Sequence, residues 1–102
     1  MDVNTAFGMG LKRLRKQKGL TQEDFSGVSS RTYLSTLERG LKGPTIEKIE
    51  QLALVLNVHP ATLVVAAYAA KHDLTTEDLQ VLASQILLEL GISPQERSDL
   101  IR

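Results

Sequence analysis

Between residues 20 and 40 the chain reads LTQEDFSGVSSRTYLSTLERG, and the punctuation of this stretch points to two short helices joined by a tight turn. Ser30 is a good N-cap, because its hydroxyl accepts a bond from a backbone amide that the first helical turn leaves free. A helix then starts at about Arg31. Gly40, following Arg39, suits the left-handed residue that ends many helices. Leu34 and Leu37, with Leu41 four positions on, line one narrow apolar stripe that is expected to face a core. The opposite face carries Arg31, Thr32, Ser35, Thr36 and Arg39; it is rich in donors and acceptors and nearly free of acid. A face of that kind fits the DNA major groove, where Arg pairs with guanine and hydroxyls bond bases or phosphates.

The run of Leu14-Arg15, Gly19-Leu20-Thr21-Gln22, Tyr33-Leu34-Ser35, Leu37-Glu38-Arg39-Gly40 and Pro44-Thr45 resembles the helix-turn-helix family of phage repressors, Cro proteins and XRE-type bacterial regulators. The resemblance covers residues 7–64 and implies an all-α, five-helix repressor-like DNA-binding domain. It departs from the family in one place. The segment between Gln22 and Ser30 is a couple of residues shorter than usual, Ser26 stands where a small alanine is common, and Gly27 or Val28 has to make the turn. Carried over residue by residue, the resemblance implies that Gln22 binds a phosphate and that Arg15 and Glu38 form an ion pair tying the first helix to the reading helix. Two roles stay open for Tyr33, a sugar-phosphate contact or packing. Base contacts are assigned to Arg31, Thr32, Ser35 and Thr36, and phosphate contacts to Gln22, Ser30, Tyr33, Arg39 and Lys42.

A formal net charge of zero argues by itself against a nucleic-acid protein, but the distribution reverses that reading. Residues 1–43 hold eight Lys or Arg against four acids, and residues 44–102 hold four against eight. The basic half suits phosphate. With no cysteine there is neither a disulfide framework nor a thiolate metal site. The N-terminus lacks the regions of a signal peptide, and the longest apolar run, residues 63–70, is far short of a membrane span. The expected location is the cytoplasm.

In chain order, a first helix is expected over residues 5–18, with Phe7, Leu11 and Leu14 at helical spacing and Lys12, Arg13, Lys16 and Lys18 largely off that stripe. Gly8 and Gly10 weaken it, at roughly 1 kcal/mol each relative to alanine, and close packing is one reason to keep them. Thr21 caps the second helix, with Asp24 completing a weak capping box. After the loop at residues 41–44, Thr45 caps a helix over residues 46–56 that turns Ile49, Leu52, Ala53 and Leu56 inward and ends at Asn57. Pro60 opens a fifth helix at its first position, where a missing amide does no harm. His59 and His72 share no helix face and read as solvated loop residues rather than metal ligands.

Thr75 and Asp78 then form a capping box for a sixth helix running to Leu90, before Gly91. Leu79, Leu82, Ile86, Leu87 and Leu90, with Val81, Ala83 and Leu88 beside them, wrap more than one face. Apolar surface on that scale usually marks an oligomer interface, so residues 1–70 read as the DNA-binding domain and residues 71–102 as a helical extension for homodimerisation, with a tetramer also open; the alternative is that this helix folds over the fifth and completes a monomer core. Ser93 and Pro94 suggest one more short helix.

The function expected is a sequence-specific regulator of transcription that binds double-stranded DNA as a dimer, on an inverted repeat. The alternative is an antitoxin-type protein whose acidic, apolar C-terminal half captures a partner protein while the N-terminal half represses its own operon. No nucleophile has a base at hand and no glycine-rich loop follows a strand, so no enzyme activity, metal, cofactor or membrane partner is expected.

Overall fold

The computed structural model describes residues 1–92, which form five α-helices and a single 3₁₀ turn, with no strand among the described residues. Helix α1 spans Val3–Gln17, the 3₁₀ turn Gln22–Phe25, α2 Arg31–Glu38, α3 Ile46–Leu56, α4 Pro60–His72 and α5 Thr76–Leu90. The short helix expected around Ser93 and Pro94 lies outside the described residues.

Most helix ends are set by local chemistry. The hydroxyl oxygens of Ser30, Thr45 and Thr75 accept from the amides of Tyr33, Lys48 and Asp78, satisfying donors that the first turn leaves free. Asn57 closes α3 in the left-handed conformation. Helix α1 begins earlier than its apolar stripe suggests, because the Asp2 carboxylate accepts from the Thr5 amide at 2.7 Å and carries the helix back to Val3. His59 is not a free loop residue: its Nδ1 accepts from the Ala61 amide at 3.0 Å and caps α4.

The second helix of the sequence reading is only one 3₁₀ turn. The Asp24 carboxylate accepts from the Thr21 amide at 2.7 Å and from its hydroxyl at 3.1 Å, which fixes the start. Phe25, wholly buried, anchors the other end, and its carbonyl accepts from the amides of both Val28 and Ser29. Only eight residues lie between the caps Thr21 and Ser30, and runs this short are commonly 3₁₀.

The core consists of Phe7 and Leu11 from α1, Phe25, Leu34 and Leu37 from α2, Leu52, Ala53 and Leu56 from α3, and Leu63 and Ala67 from α4. Full burial of each large side chain stabilises by about 1.5–3 kcal/mol, so the interior is assembled from residues 7 to 67. Helix α1 lies against α4 and α2, and α3 against α4. Leu41 does not continue the Leu34–Leu37 stripe and is 60% exposed. Helix α2 stops at Glu38, and Gly40 (φ 75°) turns the chain away before Leu41 is reached.

Close approach explains the glycine at position 8. A Cβ there would lie 2.5 Å from the carbonyl oxygens of both Leu37 and Glu38. The backbone of α1 is thus pressed onto the last turn of α2, and any side chain would push them apart.

Helix α5 contributes no buried residue. Leu79, Leu82 and Leu87 are half-buried, while Ile86 and Leu90 are exposed, as are Val81 and Leu88 on other faces. The division expected after residue 70 falls in the last turn of α4, which runs unbroken to His72. No single helix among the described residues is long and apolar enough to cross a membrane.

Candidate nucleic-acid interface

Helix α2 is held from behind by its apolar stripe. Leu34 and Leu37 are fully buried, and Glu38, at the end of the helix, is also buried. An acid at a helix C-terminus is disfavoured by the helix dipole, and here it is neutralised. Arg15 donates from Nε to Glu38 Oε2 at 2.6 Å and from Nη2 to Oε1 at 3.0 Å. A third donor, Nη1, reaches the Leu20 carbonyl at 3.0 Å. The fork matches carboxylate geometry, and the hydrogen bonds to Glu38, opposed by burial, raise the guanidinium pKa further above its ordinary value. Arg15 is therefore committed to joining α1 to α2.

The outward side of α2 has the opposite character. Arg31 and Thr32 are exposed, Ser35 and Thr36 half-buried, and Arg39 and Lys42 exposed beyond the C-terminal end. The one acid of the helix is the buried Glu38, so no free carboxylate stands on this face. Thr36 donates its hydroxyl proton to the Thr32 carbonyl at 2.9 Å, which leaves its hydroxyl oxygen able to accept. Ser30 spends its oxygen on the cap, accepting from the Tyr33 amide at 3.1 Å, and keeps its proton to donate.

Gln22 is brought to the same end of the molecule but is not free. Its amide nitrogen donates to Glu38 Oε1 at 3.1 Å, so the ion pair also orients this side chain, with a second N–H remaining. Tyr33 is half-buried and packs on the edge of the core. Sequence reasoning assigned nothing to Lys48, the third residue of α3. Its ammonium donates to the Val28 carbonyl at 2.6 Å and lies 5.6 Å from the centroid of the Tyr33 ring. Val28, Ser29, Ser30, Tyr33 and Lys48 line one open hollow beside the start of α2. No local pattern announces this contact, since Lys48 and Val28 are twenty residues apart.

A family model described as helix-turn-helix matches residues 11–63, just over half of the chain. The chain belongs to the helix-turn-helix family. Within this helix-turn-helix protein, the matched span runs from the middle of α1 into α4 and includes Arg15, Glu38 and all of α2. The chain is 44% identical over 66 residues, 63% of its own length and 86% of the relative's, to the uncharacterized HTH-type transcriptional regulator y4dJ of Sinorhizobium fredii. It is 35% identical over 60 residues, 56% of its length and 81% of the relative's, to the control protein C.MunI of a Mycoplasma species. Among solved structures it is similar to the restriction-modification controller protein C.AhdI from Aeromonas hydrophila, with a TM-score of 0.55 and 34% identity over 58% of this chain and 92% of that one.

Proposed function

We propose that this helix-turn-helix protein is a sequence-specific regulator of transcription that binds double-stranded DNA as a homodimer, with α2 in the major groove. The observation that carries the reading is the two-sidedness of α2. Its only acid is buried and paired, and its outward side offers Arg31, Thr32, Ser35 and Thr36 with no carboxylate to repel phosphate. In this reading those four side chains meet base edges, with Arg31 suited to guanine and the Thr36 methyl to the methyl of thymine. Gln22, Ser30, Tyr33, Arg39 and Lys42 surround them and meet phosphates, positioning the helix without reading sequence.

The extension beyond the matched span supplies the second half of the proposal. Leu79, Leu82, Ile86, Leu87 and Leu90 line α5, and the subunit leaves the first, second and fourth half-buried and the other two exposed; a two-fold pairing is the commonest way for a chain to cover such a surface. A two-fold dimer would present its reading helices about 34 Å apart, one turn of B-DNA, and so select an inverted repeat. Similarity to two control proteins favours a regulator of a restriction-modification operon over other kinds.

Selection of bound fragments from random duplex DNA tests all of this at once. Recovery of a palindrome with half-sites one helical turn apart supports the function, the symmetry and the spacing. A recovered pool without a shared sequence refutes sequence-specific binding, and a single unrepeated site refutes the dimer.

A further inference from the structure

The turn that launches α2 is short and contains no left-handed residue. Among the described residues, positive φ occurs only at Gly19, Gly40, Asn57, Asp73 and Gly91. Gly27 is not among them, so the turn is not held by the conformational privilege of glycine. What holds it from below is the buried Phe25, whose carbonyl takes the amides of Val28 and Ser29. From the side it is held by Lys48. One ammonium donates to the Val28 carbonyl, two residues before the cap of α2, and lies over the ring of Tyr33 in the first turn of that helix. It thus grips the chain on both sides of the cap, Ser30. Lys48 itself is fixed by α3, where the Thr45 hydroxyl accepts from its amide at 3.0 Å.

A bond from an ammonium to a carbonyl is among the stronger hydrogen bonds, and a cation over an aromatic face adds to it. Together they span α3, the turn and α2. Rotation of α2 about its N-terminal end would carry the Tyr33 ring away from an ammonium that the Val28 carbonyl holds in place.

We infer that Lys48 is a positioning residue that sets the angle at which α2 meets DNA, and thereby which bases its side chains reach, rather than a phosphate contact. The inference rests on the DNA-reading role proposed above. A lysine beside the start of a reading helix would ordinarily be assigned to phosphate. Here the 2.6 Å bond and the Tyr33 ring fix where its ammonium sits, between α3 and the turn.

The test compares the parent with Lys48→Met, which keeps the aliphatic stem and removes the charge and the donor, on the selected duplex and on a random duplex across a salt series. Positioning predicts a fall of roughly tenfold in preference for the selected duplex, the effect of losing one well-placed base contact. Affinity for random duplex and its salt slope stay unchanged. Lys48→Arg, which retains a donor and a cation for the ring, restores most of the preference. In the DNA-free protein, amide resonances of Val28 to Thr32 move in Lys48→Met while those of α4 do not. Should Lys48→Met fail to fold, Lys48→Gln provides the same comparison with a weaker donor.

Equal losses on both duplexes, with a salt slope lower by about one, would make Lys48 a phosphate contact and overturn the inference. So would a variant with undiminished preference. Absence of any preferred duplex for the parent refutes the DNA reading itself, an outcome visible before any variant is made.

Discussion

Replacing Arg15 with methionine removes the cation from a carboxylate that has little access to water. The Glu38 side chain is 4% exposed and that of Arg15 10%. In the parent, Glu38 accepts two bonds from Arg15 and one from Gln22; in the variant it keeps only the neutral donor. Leaving one member of a buried pair uncompensated costs about 3–5 kcal/mol, whereas the same change in a solvent-exposed pair costs about 0.2–1 kcal/mol. Small domains have a total stability of about 5–15 kcal/mol, so Arg15→Met should remain folded but close to its limit. With a shift of about 4–8 °C per kcal/mol for a domain of this size, the melting temperature should fall by about 12–40 °C. The double variant Arg15→Met/Glu38→Leu removes both charges together and should recover most of the loss, because apolar side chains of similar volume often replace a buried pair with little penalty. Urea unfolding followed by circular dichroism measures both, and the double-mutant cycle isolates the coupling. A single-variant loss below about 1 kcal/mol, or a double variant no more stable than the single, would refute the claim that this pair joins α1 to α2 from a desolvated site.

Arg31→Ala should cost about 1–3 kcal/mol on the selected duplex and relax preference at one base pair, while Lys42→Ala should weaken all sequences alike and flatten the salt slope; binding titrations on selected and random duplexes distinguish the two, and exchanged behaviours would exchange the assignments. Gly8→Ala should destabilise by about 1–3 kcal/mol through overpacking, since its Cβ would meet two backbone carbonyls at 2.5 Å. Gly27→Ala should instead be neutral or stabilise by about 0.4–1 kcal/mol, because its φ is not positive and a Cβ there meets nothing within 4 Å; denaturant midpoints for the two variants check the contrast. The bond from the Thr5 amide, first, and that from the Thr5 side chain hold the Asp2 carboxyl below the ordinary aspartate range. Its contribution to stability is therefore complete above that range and lost as pH falls through the lower, folded value. Asp2→Asn keeps a cap oxygen but has no charge to lose, so its stability should fall less steeply than the parent's below about pH 4; parallel acid-unfolding curves would count against the cap.

Features that depend on a few neighbouring residues were legible in the chain. Ser30, Thr45 and Thr75 cap the helices they precede, and Gly40, Asn57 and Gly91 occupy left-handed ends. Leu34, Leu37, Leu52, Ala53 and Leu56 face inward as their spacing requires. Capping and periodicity act within one or two turns, so a single sequence carries them. The errors have the same origin seen from the other side. Leu41 continues the apolar spacing in number, but the helix that would have carried it inward stops three residues earlier. The helix expected after Thr21 is one 3₁₀ turn, Gln22–Phe25, in a segment with only eight residues between the caps Thr21 and Ser30.

What the order of residues determined by itself was the five α-helices, where most of them begin and end, and which side of α2 is apolar, because these follow from hydrogen bonds and spacings only a few positions long. Only the packed structure decided why position 8 holds a glycine, what Gln22 donates to, and that Lys48 on α3 grips the turn before α2. Each of those depends on atoms sixteen to thirty residues apart, and their meeting is decided by how α1, α2 and α3 close around one core.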